Sequence, residues 1–318
     1  MQTQVRPLPE TVNYHLNKNC NFLCRGCYAV FNDTPGIRGV MLSKERMFEV
    51  VDAVAAAPLP DGKGVRKLTF AGGEPTLCNW LPELISHAKS LGLVTMLVTN
   101  GSRCSRDYLA AMAPSLDWLT VSIDSLVPET NLAIGRHNFR GLPLAADDYA
   151  RILADASALG IRTKVNTVVS RLNWRENMSR FISQSAISRW KILQIMQVDG
   201  QNDAFIDSLL IDGRRFGSFL QRHRNVEGTG IRVVPEPVES IRGSYCMIDP
   251  QGRFFDSSSG RHLYSSPILK VGIAAAFAEV SFDHDQFLAR GGSYDFLPQP
   301  PSAISPDLPV FSTLPALV

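Results

Sequence analysis

Three of the six cysteines of this 318-residue chain lie within eight positions, in the stretch "CNFLCRGC". Cys20, Cys24 and Cys27 are separated by three and by two residues, so one short loop carries three thiols. Such a loop is compatible with a disulfide, a structural zinc ion or an iron–sulfur cluster. A structural zinc ion normally has four protein ligands, so zinc would require a fourth ligand from a distant part of the chain. A [4Fe–4S] cluster held by three cysteines instead leaves one iron free to bind a small molecule.

The composition limits the other possibilities. The chain is 45% apolar with a formal charge of +2, which excludes a general polycation and makes any anion site local. The N-terminal sequence has no signal-peptide pattern, and no apolar run approaches the roughly 18 residues that span a bilayer. We therefore expect a cytoplasmic protein without membrane attachment, in which reducing conditions disfavour disulfides. The isolated Cys78, Cys104 and Cys246 are expected to be buried as small apolar residues.

The elements that must position the cysteine loop follow a repeated βα pattern. Six β-branched runs alternate with helical patterns, and they predict strands at 11–16, 67–71, 95–100, 118–124, 162–169 and 189–196. Ser43 is expected to cap the first helix. The pattern predicts an α/β fold in which a parallel sheet curls into a partial (β/α)6 TIM-like barrel, with the chemistry at the carboxyl ends of its strands.

The chain divides into three predicted regions. Residues 1–210 form the barrel core, and 211–296 form an irregular C-terminal extension that covers the substrate site. Residues 297–318 are rich in proline and poor in charge, which predicts an extended tail.

Polar and glycine residues collect in the loops after the predicted strands. "GGEP" (72–75) follows the second strand, where Gly72 and Gly73 permit close backbone approach and Glu74 offers an anion for an ammonium group. Asn100 follows the third strand, and Ser122 and Asp124 end the fourth. These polar residues suit either ligand contact or ordinary helix capping.

The cysteine loop after the first strand, followed by Tyr28 and then by "GGEP" after the second, resembles the radical S-adenosylmethionine (SAM) superfamily. The resemblance implies a [4Fe–4S] cluster on Cys20, Cys24 and Cys27, with SAM bound at the free iron. It also implies that the cofactor is contacted by Tyr28, Gly72, Gly73, Glu74, Asn100, Ser122 and Asp124.

A longer series of motifs is similar to the viperin family of that superfamily. "VNYHLNKNCNFLCRGCYAVF", "LTFAGGEPTL", "VSIDSLVPETNLAIGRH", "TKVNTVVSRLNW" and "GSYCMID" occur in the family's order, and the similarity covers about residues 9–296. The resemblance implies dehydration of a ribonucleoside triphosphate, CTP or UTP or else GTP, to a chain-terminating, antiviral 3′-deoxy-3′,4′-didehydro product. It also implies an external electron donor resembling flavodoxin or ferredoxin. We expect a monomer that does not bind nucleic acid directly.

Basic residues on the predicted strands agree with a triphosphate. Lys164 and Asn166 alternate with Val165 and Thr167, so they share one face of a strand, and Arg189 and Lys191 share a face in the same way. A buried lysine on such a face must be paired or must bind an anion. By resemblance, the nucleotide contacts are Asn13, Arg136, Lys164, Asn166, Arg189, Lys191, Arg261 and Arg290. Tyr245 and Lys164 are the implied catalytic residues.

Two other functions remain open at this level. A radical GTP cyclase also acts on a nucleoside triphosphate, but that family carries a second cysteine cluster, and only Cys246 lies in the C-terminal half here. A non-catalytic iron–sulfur redox or sensor protein would have no use for a glycine turn that binds a cofactor.

Overall fold

The computed structural model describes residues 6–33, 41–60, 62, 66–294 and 296, so the predicted tail at 297–318 lies outside the described residues. In chain order, the strands β1 to β10 are Thr11–His15, Lys67–Ala71, Val94–Thr99, Trp118–Ser122, Arg162–Val169, Arg189–Gln194, Arg232–Glu236, Met247–Ile248, Arg253–Asp256 and Leu263–Pro267. They form one sheet with the order β10-β9-β8-β1-β2-β3-β4-β5-β6-β7. β1 to β7 pair in parallel in chain order, so the six predicted strands and their topology are confirmed.

Helices fill the connections between the parallel strands. The α-helices α1 to α12 are Lys44–Ala56, Leu81–Ser90, Arg106–Met112, Pro128–Ile134, Ala146–Ala158, Ser179–Gln184, Ile206–Leu209, Gly213–Arg222, Val238–Ile241, Ile268–Val271, Ile273–Ala278 and His284–Ala289. α1 starts after Ser43, whose hydroxyl accepts a hydrogen bond from Arg46 N as the sequence predicts. Within the described ranges, no helix has the length and apolar character to cross a bilayer.

The C-terminal part of the chain adds strands to both sides of the predicted sheet. β7 pairs in parallel with β6, whereas β8 pairs in parallel with β1 and continues through antiparallel β9 and β10. The sheet curves so strongly that Tyr245, just before β8, donates its hydroxyl hydrogen to Glu236 at the end of β7. Side chains therefore bridge the two sides of a partial barrel that backbone pairing does not close in the described strands.

The two faces of the sheet have opposite character. Leu119, Val165 and Trp190 are fully buried on the outer face, in the main hydrophobic core. Strand alternation directs their neighbours Thr120, Lys164 and Lys191 to the barrel interior. Cys78, Cys104 and Cys246 are buried with the apolar residues, as expected. The interior is therefore the polar compartment of the fold.

Arg66 connects the start of the sheet to α1. Its buried guanidinium donates to five backbone carbonyls, those of Leu8, Pro9, Val54, Ala57 and Pro58. These acceptors are the end of α1, the residues after it and the residues that lead into β1. The five donors of an arginine match them, whereas an ammonium group offers only three.

We expect Arg66→Lys to lower the free energy of unfolding by about 2–4 kcal/mol, because it leaves buried carbonyl groups without donors. Chemical denaturation measures the change. Arg224→Lys, at an exposed arginine without an ion pair among the described residues, is the control and should change the free energy by less than about 0.5 kcal/mol. Equal stability of the two variants would contradict the role of Arg66.

Candidate active site

The cysteine loop, residues 20–27, follows the carboxyl end of β1 and carries three free, half-buried thiols. The Cys20 sulfur accepts a hydrogen bond from Phe22 N at 3.4 Å, and Asn100 Nδ2 lies 3.9 Å from the same atom. Burial raises the pKa of Cys20 to about 11 and that of Cys27 to about 12, with the neighbouring thiols adding to both shifts. The thiols are therefore protonated at neutral pH until a metal displaces their protons.

The thiols do not form a ready site for a single ion. Among the residues that the structure describes, no three His, Cys, Asp or Glu side chains are grouped to hold one metal ion. A zinc ion requires its ligands to converge on one point. A cuboidal cluster has no such requirement, because each cysteine binds a different iron atom.

The glycine turn after β2 forms the first support of the cysteine loop. Gly73 N donates to Asn17 O at 2.7 Å, and Glu74 N donates to Asn19 O at 2.8 Å. A Cβ atom on Gly73 would lie 2.3 Å from Asn19 O, and one on Gly72 would lie 2.8 Å from Asn17 O. Both glycines are therefore required by the close approach of these two backbone segments.

The residues after α4 support the other side of the loop. Leu23 N donates to Gly135 O at 3.1 Å, and Arg25 N donates to Ile134 O at 2.9 Å. Gly135 has a φ of +83°, and a Cβ atom there would lie 2.3 Å from Leu23 O. These backbone contacts of the cysteine loop were not predicted from the sequence. The glycine at the end of a predictable helix was the available signal.

The carboxylate of Glu74 is fully buried and organises the loop after β3. Its Oε1 accepts from the Thr76 backbone N–H and from the hydroxyls of Thr76 and Thr99. Its Oε2 accepts from Asn100 N at 2.8 Å. Asn100 in turn donates to Asn21 Oδ1 at 2.9 Å, so Glu74 indirectly fixes the start of the cysteine loop.

Asp124 and Arg136 form a buried ion pair beside the cysteine loop, with Arg136 Nε 2.7 Å from Asp124 Oδ2. The carboxylate of Asp124 raises the pKa of Arg136 in spite of its burial, and the nearby Cys24 adds to the shift. Arg136 also donates to the carbonyl of Ser122. The structure thus groups Arg136 with the predicted cofactor residues and not with the other predicted nucleotide contacts. Tyr28 is partly exposed, with its ring edge-to-face against His15.

Four of the predicted nucleotide contacts, Lys164, Arg189, Lys191 and Arg290, belong to a cationic cluster inside the barrel. In register, Lys164 lies beside Arg189 and Asn166 beside Lys191 on β5 and β6. Lys67 on β2 and Arg290 complete the cluster, and all five cationic side chains are buried. Burial and mutual repulsion lower the pKa of Lys67 and Lys164 well below the usual range. Lys67 was missed because a lysine at the start of a strand is commonly exposed.

Glu236 is the carboxylate that pairs with this cluster. Its Oε1 lies 2.6 Å from Lys191 Nζ and 3.2 Å from Arg290 Nη1, and its Oε2 accepts from the Tyr245 hydroxyl. Tyr245 accepts from Lys191 Nζ at 2.8 Å. The pairing lowers the pKa of Glu236 to about 2, so the carboxylate stays ionised. Glu236 was not among the site residues predicted from the sequence, and its strand was not predicted.

Several polar groups inside the barrel remain unsatisfied. Asn166 Oδ1 and Arg189 Nε are buried and have no hydrogen-bond partner among the residues that the structure describes. Asn13 lies at the middle of β1 and donates to Cys246 O at 3.3 Å. Arg261, by contrast, is exposed and outside the cluster, in an isolated bridge with Asp199. The structure therefore groups most of the predicted nucleotide contacts and leaves Arg136 and Arg261 apart.

Comparison with known proteins identifies the family. The model for the radical SAM superfamily matches residues 14–182. A curated protein from Flammeovirga pacifica, named S-adenosylmethionine-dependent nucleotide dehydratase, is 38% identical over 288 residues, which cover 90% of this chain and 96% of that protein. The chain belongs to the viperin family of radical SAM nucleotide dehydratases. The family assignment made from the motifs is thus confirmed.

A second curated relative and a solved structure also match this viperin-family chain. A protein of the same name from Lacinutrix mariniflava is 43% identical over 90% of this chain, which spans 58% of that relative's length. The solved structure of anSMEcpe with bound AdoMet has a TM-score of 0.63 and covers 89% of this chain and 79% of its own. At 13% identity, this match shows the radical SAM fold alone.

The residues of the site fit the cofactors that characterise the superfamily, a [4Fe–4S] cluster and SAM. Three free thiols, with a backbone N–H directed at one sulfur, suit a cluster with three cysteine ligands. Beside the glycine turn, the buried Asn17 Oδ1 has no hydrogen-bond partner in the described part of the chain, and such an acceptor suits the cationic amino group of SAM.

We expect Gly73→Ala to lower the iron and sulfide content of the reconstituted protein at least about fivefold, because its Cβ atom forces the glycine turn away from the loop. Gly213→Ala is the matched control, since Gly213 has ordinary φ and open space. Iron analysis and cluster absorbance measure the result, and thermal unfolding checks the fold. Full iron content in Gly73→Ala would refute the support described for the glycine turn.

Proposed function

We propose that the substrate is a ribonucleoside triphosphate, CTP or UTP or alternatively GTP. The product would be the 3′-deoxy-3′,4′-didehydro nucleotide, which lacks a 3′ hydroxyl and terminates nucleic-acid chains in antiviral defence. The observation that carries the proposal is the buried cluster of five cations opposed by one carboxylate. Such an excess of buried charge is unfavourable unless an anion completes it.

The triphosphate is assigned to the side of the cluster that Glu236 does not neutralise. Lys164 is only 6% exposed, and its ammonium has neither a hydrogen bond nor an ion pair within the described residues. Arg189 donates from one terminal nitrogen to Gly291 O at 3.0 Å, and its Nε has no partner among the described residues. Lys67 reaches Tyr294 OH, an uncharged partner. These three side chains therefore have donors available for phosphate oxygens, and a bound phosphate would favour the charged forms of Lys67 and Lys164.

The [4Fe–4S] cluster and SAM, when bound, supply the radical that removes the 4′ hydrogen of the ribose. Asn13 and the free Oδ1 of Asn166 are assigned to hydrogen bonds with the sugar. The departing 3′ hydroxyl requires a proton, which Lys191 can provide because burial lowers its pKa to about 8. Tyr245 orients Lys191 through the hydrogen bond that it accepts, and Lys164 stabilises charge in the same compartment.

The cofactor residues form a separate part of the proposed site. Gly72 and Gly73 hold the cysteine loop, while Glu74, Asn100, Ser122 and Asp124 end or follow neighbouring strands around it. Arg136 is reassigned to this part, where it pairs with Asp124. Tyr28 lies next to Cys27 at the edge of the loop.

The regional division is also part of the proposal. Glu236, Tyr245 and Arg290 come from residues 211–296, which supports the assignment of this region to the substrate site. An external one-electron donor, a monomeric state and a cytoplasmic location complete the proposal, the last because iron–sulfur clusters suit a reducing compartment.

The direct test is anaerobic incubation of the reduced, reconstituted enzyme with SAM and each of the four ribonucleoside triphosphates. We expect 5′-deoxyadenosine and, with at least one triphosphate, a product lighter by one water. Mass spectrometry and chromatography measure both. If no triphosphate yields the dehydrated product from an enzyme with a full cluster, the proposed function is wrong.

Removal of the unpaired charge of Lys164 should separate binding from stability. We expect Lys164→Met to raise KM for the triphosphate about 10–100-fold, the loss of one charged hydrogen bond. The free energy of unfolding should stay the same or rise by about 1 kcal/mol, because a buried lysine without a partner opposes folding. Glu236→Gln should instead lower it by about 3 kcal/mol, because Lys191 and Arg290 lose their carboxylate partner. An unchanged KM in Lys164→Met would contradict the assigned site.

The kcat/KM for the triphosphate should fall as the pH rises through about 8, because Lys191 loses its charge there. Unfolding does not explain this fall in activity. The pKa of a lysine in the unfolded chain is about 10.4, so between about pH 8 and 10 the unfolded chain binds more protons than the folded one. Lys191 therefore favours folding increasingly as the pH rises through this range. In Lys191→Arg, the fall should move at least about one pH unit higher. The same profile in both proteins would exclude Lys191 as the titrating group.

A further inference from the structure

An exposed apolar patch lies on the outer side of the cysteine loop. It consists of Leu23, Phe139 and Leu142, which are 45%, 72% and 60% exposed. Leu23 N donates to His137 O, and Asn138 N donates to Leu142 O. Phe22 forms an isolated bridge with Asn138. Backbone contacts therefore place the patch directly against the loop that carries the thiols, and large exposed apolar side chains so grouped are typical of interaction sites.

Four cations lie on or next to the cysteine loop and on the two segments that contact it, and we call them the basic rim of the patch. They are Lys18, Arg25, Arg103 and Arg140, and none of them has an ion-pair partner among the described residues. Residues 17–32, 99–106 and 134–146, which contain them, include no aspartate or glutamate. The whole chain has 32 lysines and arginines against 30 acidic residues, and acidic residues resume directly after each of these segments, at Asp33, Asp107 and Asp147.

The two sides of the cysteine loop face different environments. Cys20 lies toward the buried Asn100, whose Nδ2 is 3.9 Å from the Cys20 sulfur. Leu23 and Arg25, on the same loop, are exposed, and the guanidinium of Arg25 lies 5.3 Å from the ring centroid of Phe205. A protein docked on the outer side is therefore separated from the thiols by the thickness of one loop.

We propose that the apolar patch and its basic rim dock the electron donor of the enzyme, a small acidic one-electron carrier of the flavodoxin type. The inference rests on the proposed function, which requires electrons from outside. The charge of the rim complements an acidic carrier, and the apolar centre provides the contact that excludes water. The substrate cluster lies inside the barrel, so docking here leaves the nucleotide site free.

The proposed turnover uses two electrons. One electron reduces the sulfonium of SAM, whose carbon–sulfur bond breaks to release methionine, and the 5′-deoxyadenosyl fragment leaves with the 4′ hydrogen as 5′-deoxyadenosine. The 3′ hydroxyl leaves as water with one proton, and the second electron completes the double bond. The carrier is oxidised by one electron in each of two encounters.

The test compares two reductants on the same variants at saturating triphosphate. The protein donor is a bacterial flavodoxin reduced by its NADPH-dependent reductase, and the chemical donor is dithionite, which does not require docking. We expect the double variant Arg25→Glu with Arg140→Glu to lower kcat/KM for flavodoxin by about tenfold or more. Dithionite-supported turnover and iron content should remain at the level of the unaltered enzyme.

Two further measurements separate the contributions of charge and apolar contact. Phe139→Ser should weaken flavodoxin-supported turnover without changing its salt dependence. The flavodoxin-supported rate of the unaltered enzyme should fall with ionic strength, and the charge-reversal variant should lose that slope. Arg224→Glu is the control, because Arg224 is exposed in the segment that leads into the amino end of β7, at the opposite end of the sheet.

Full flavodoxin-supported activity in the charge-reversal variant would overturn the docking surface, as would an equal loss with Arg224→Glu. A loss with both reductants at full iron content would also overturn it, since the residues would then act on catalysis itself. Absence of dehydrated product from the unaltered enzyme with dithionite would refute the proposed function instead.

Discussion

The cysteine loop must keep three thiols together and free while having no regular secondary structure of its own. Its backbone groups cannot be satisfied within the loop, so they pair with neighbouring segments: the glycine turn after β2 on one side and residues 134–137 on the other. Both pairings bring backbone so close that only glycine fits, at Gly73 and at Gly135. The position of the thiols thus depends on two loops that are distant in sequence.

The same arrangement separates the polar loops beside the thiols from the cationic interior of the barrel. Glu74, Asn100 and the Asp124–Arg136 pair belong to the loops at the carboxyl ends of β2, β3 and β4, next to the thiols. The cationic cluster lies on the strands themselves, inside the barrel. The carboxylate of Glu236 pairs with Lys191 and Arg290 of this cluster. Its contacts join β6, β7 and the segment before β8. The cationic side chains inside the partial barrel are only partly neutralised by Glu236, so the interior is well suited to hold a polyanion.

The outer surface also has a region of distinct charge and polarity. The patch around Leu23 and Phe139 combines apolar side chains with cations that form no ion pair within the described ranges, although the chain is nearly neutral overall. The patch contacts the outer side of the cysteine loop through backbone hydrogen bonds, so a single layer of backbone separates it from the thiols. In the proposed function, this arrangement gives electrons and nucleotide two different routes to the same centre.

The sequence alone determined the six parallel strands, the free cysteine loop and the family, because hydrophobic periodicity and residue spacing are local properties. It also determined that Lys164 and Asn166 share a face, since strand alternation fixes side-chain direction. Only the tertiary structure decided that Arg136 pairs with Asp124, that Arg261 lies outside the cluster and that Lys67 lies within it. It also revealed Glu236 as the shared partner of Lys191, Arg290 and Tyr245. The reason is that ion pairing depends on the curvature of the sheet, which brings β7 to the segment before β8, and no local pattern encodes that distance.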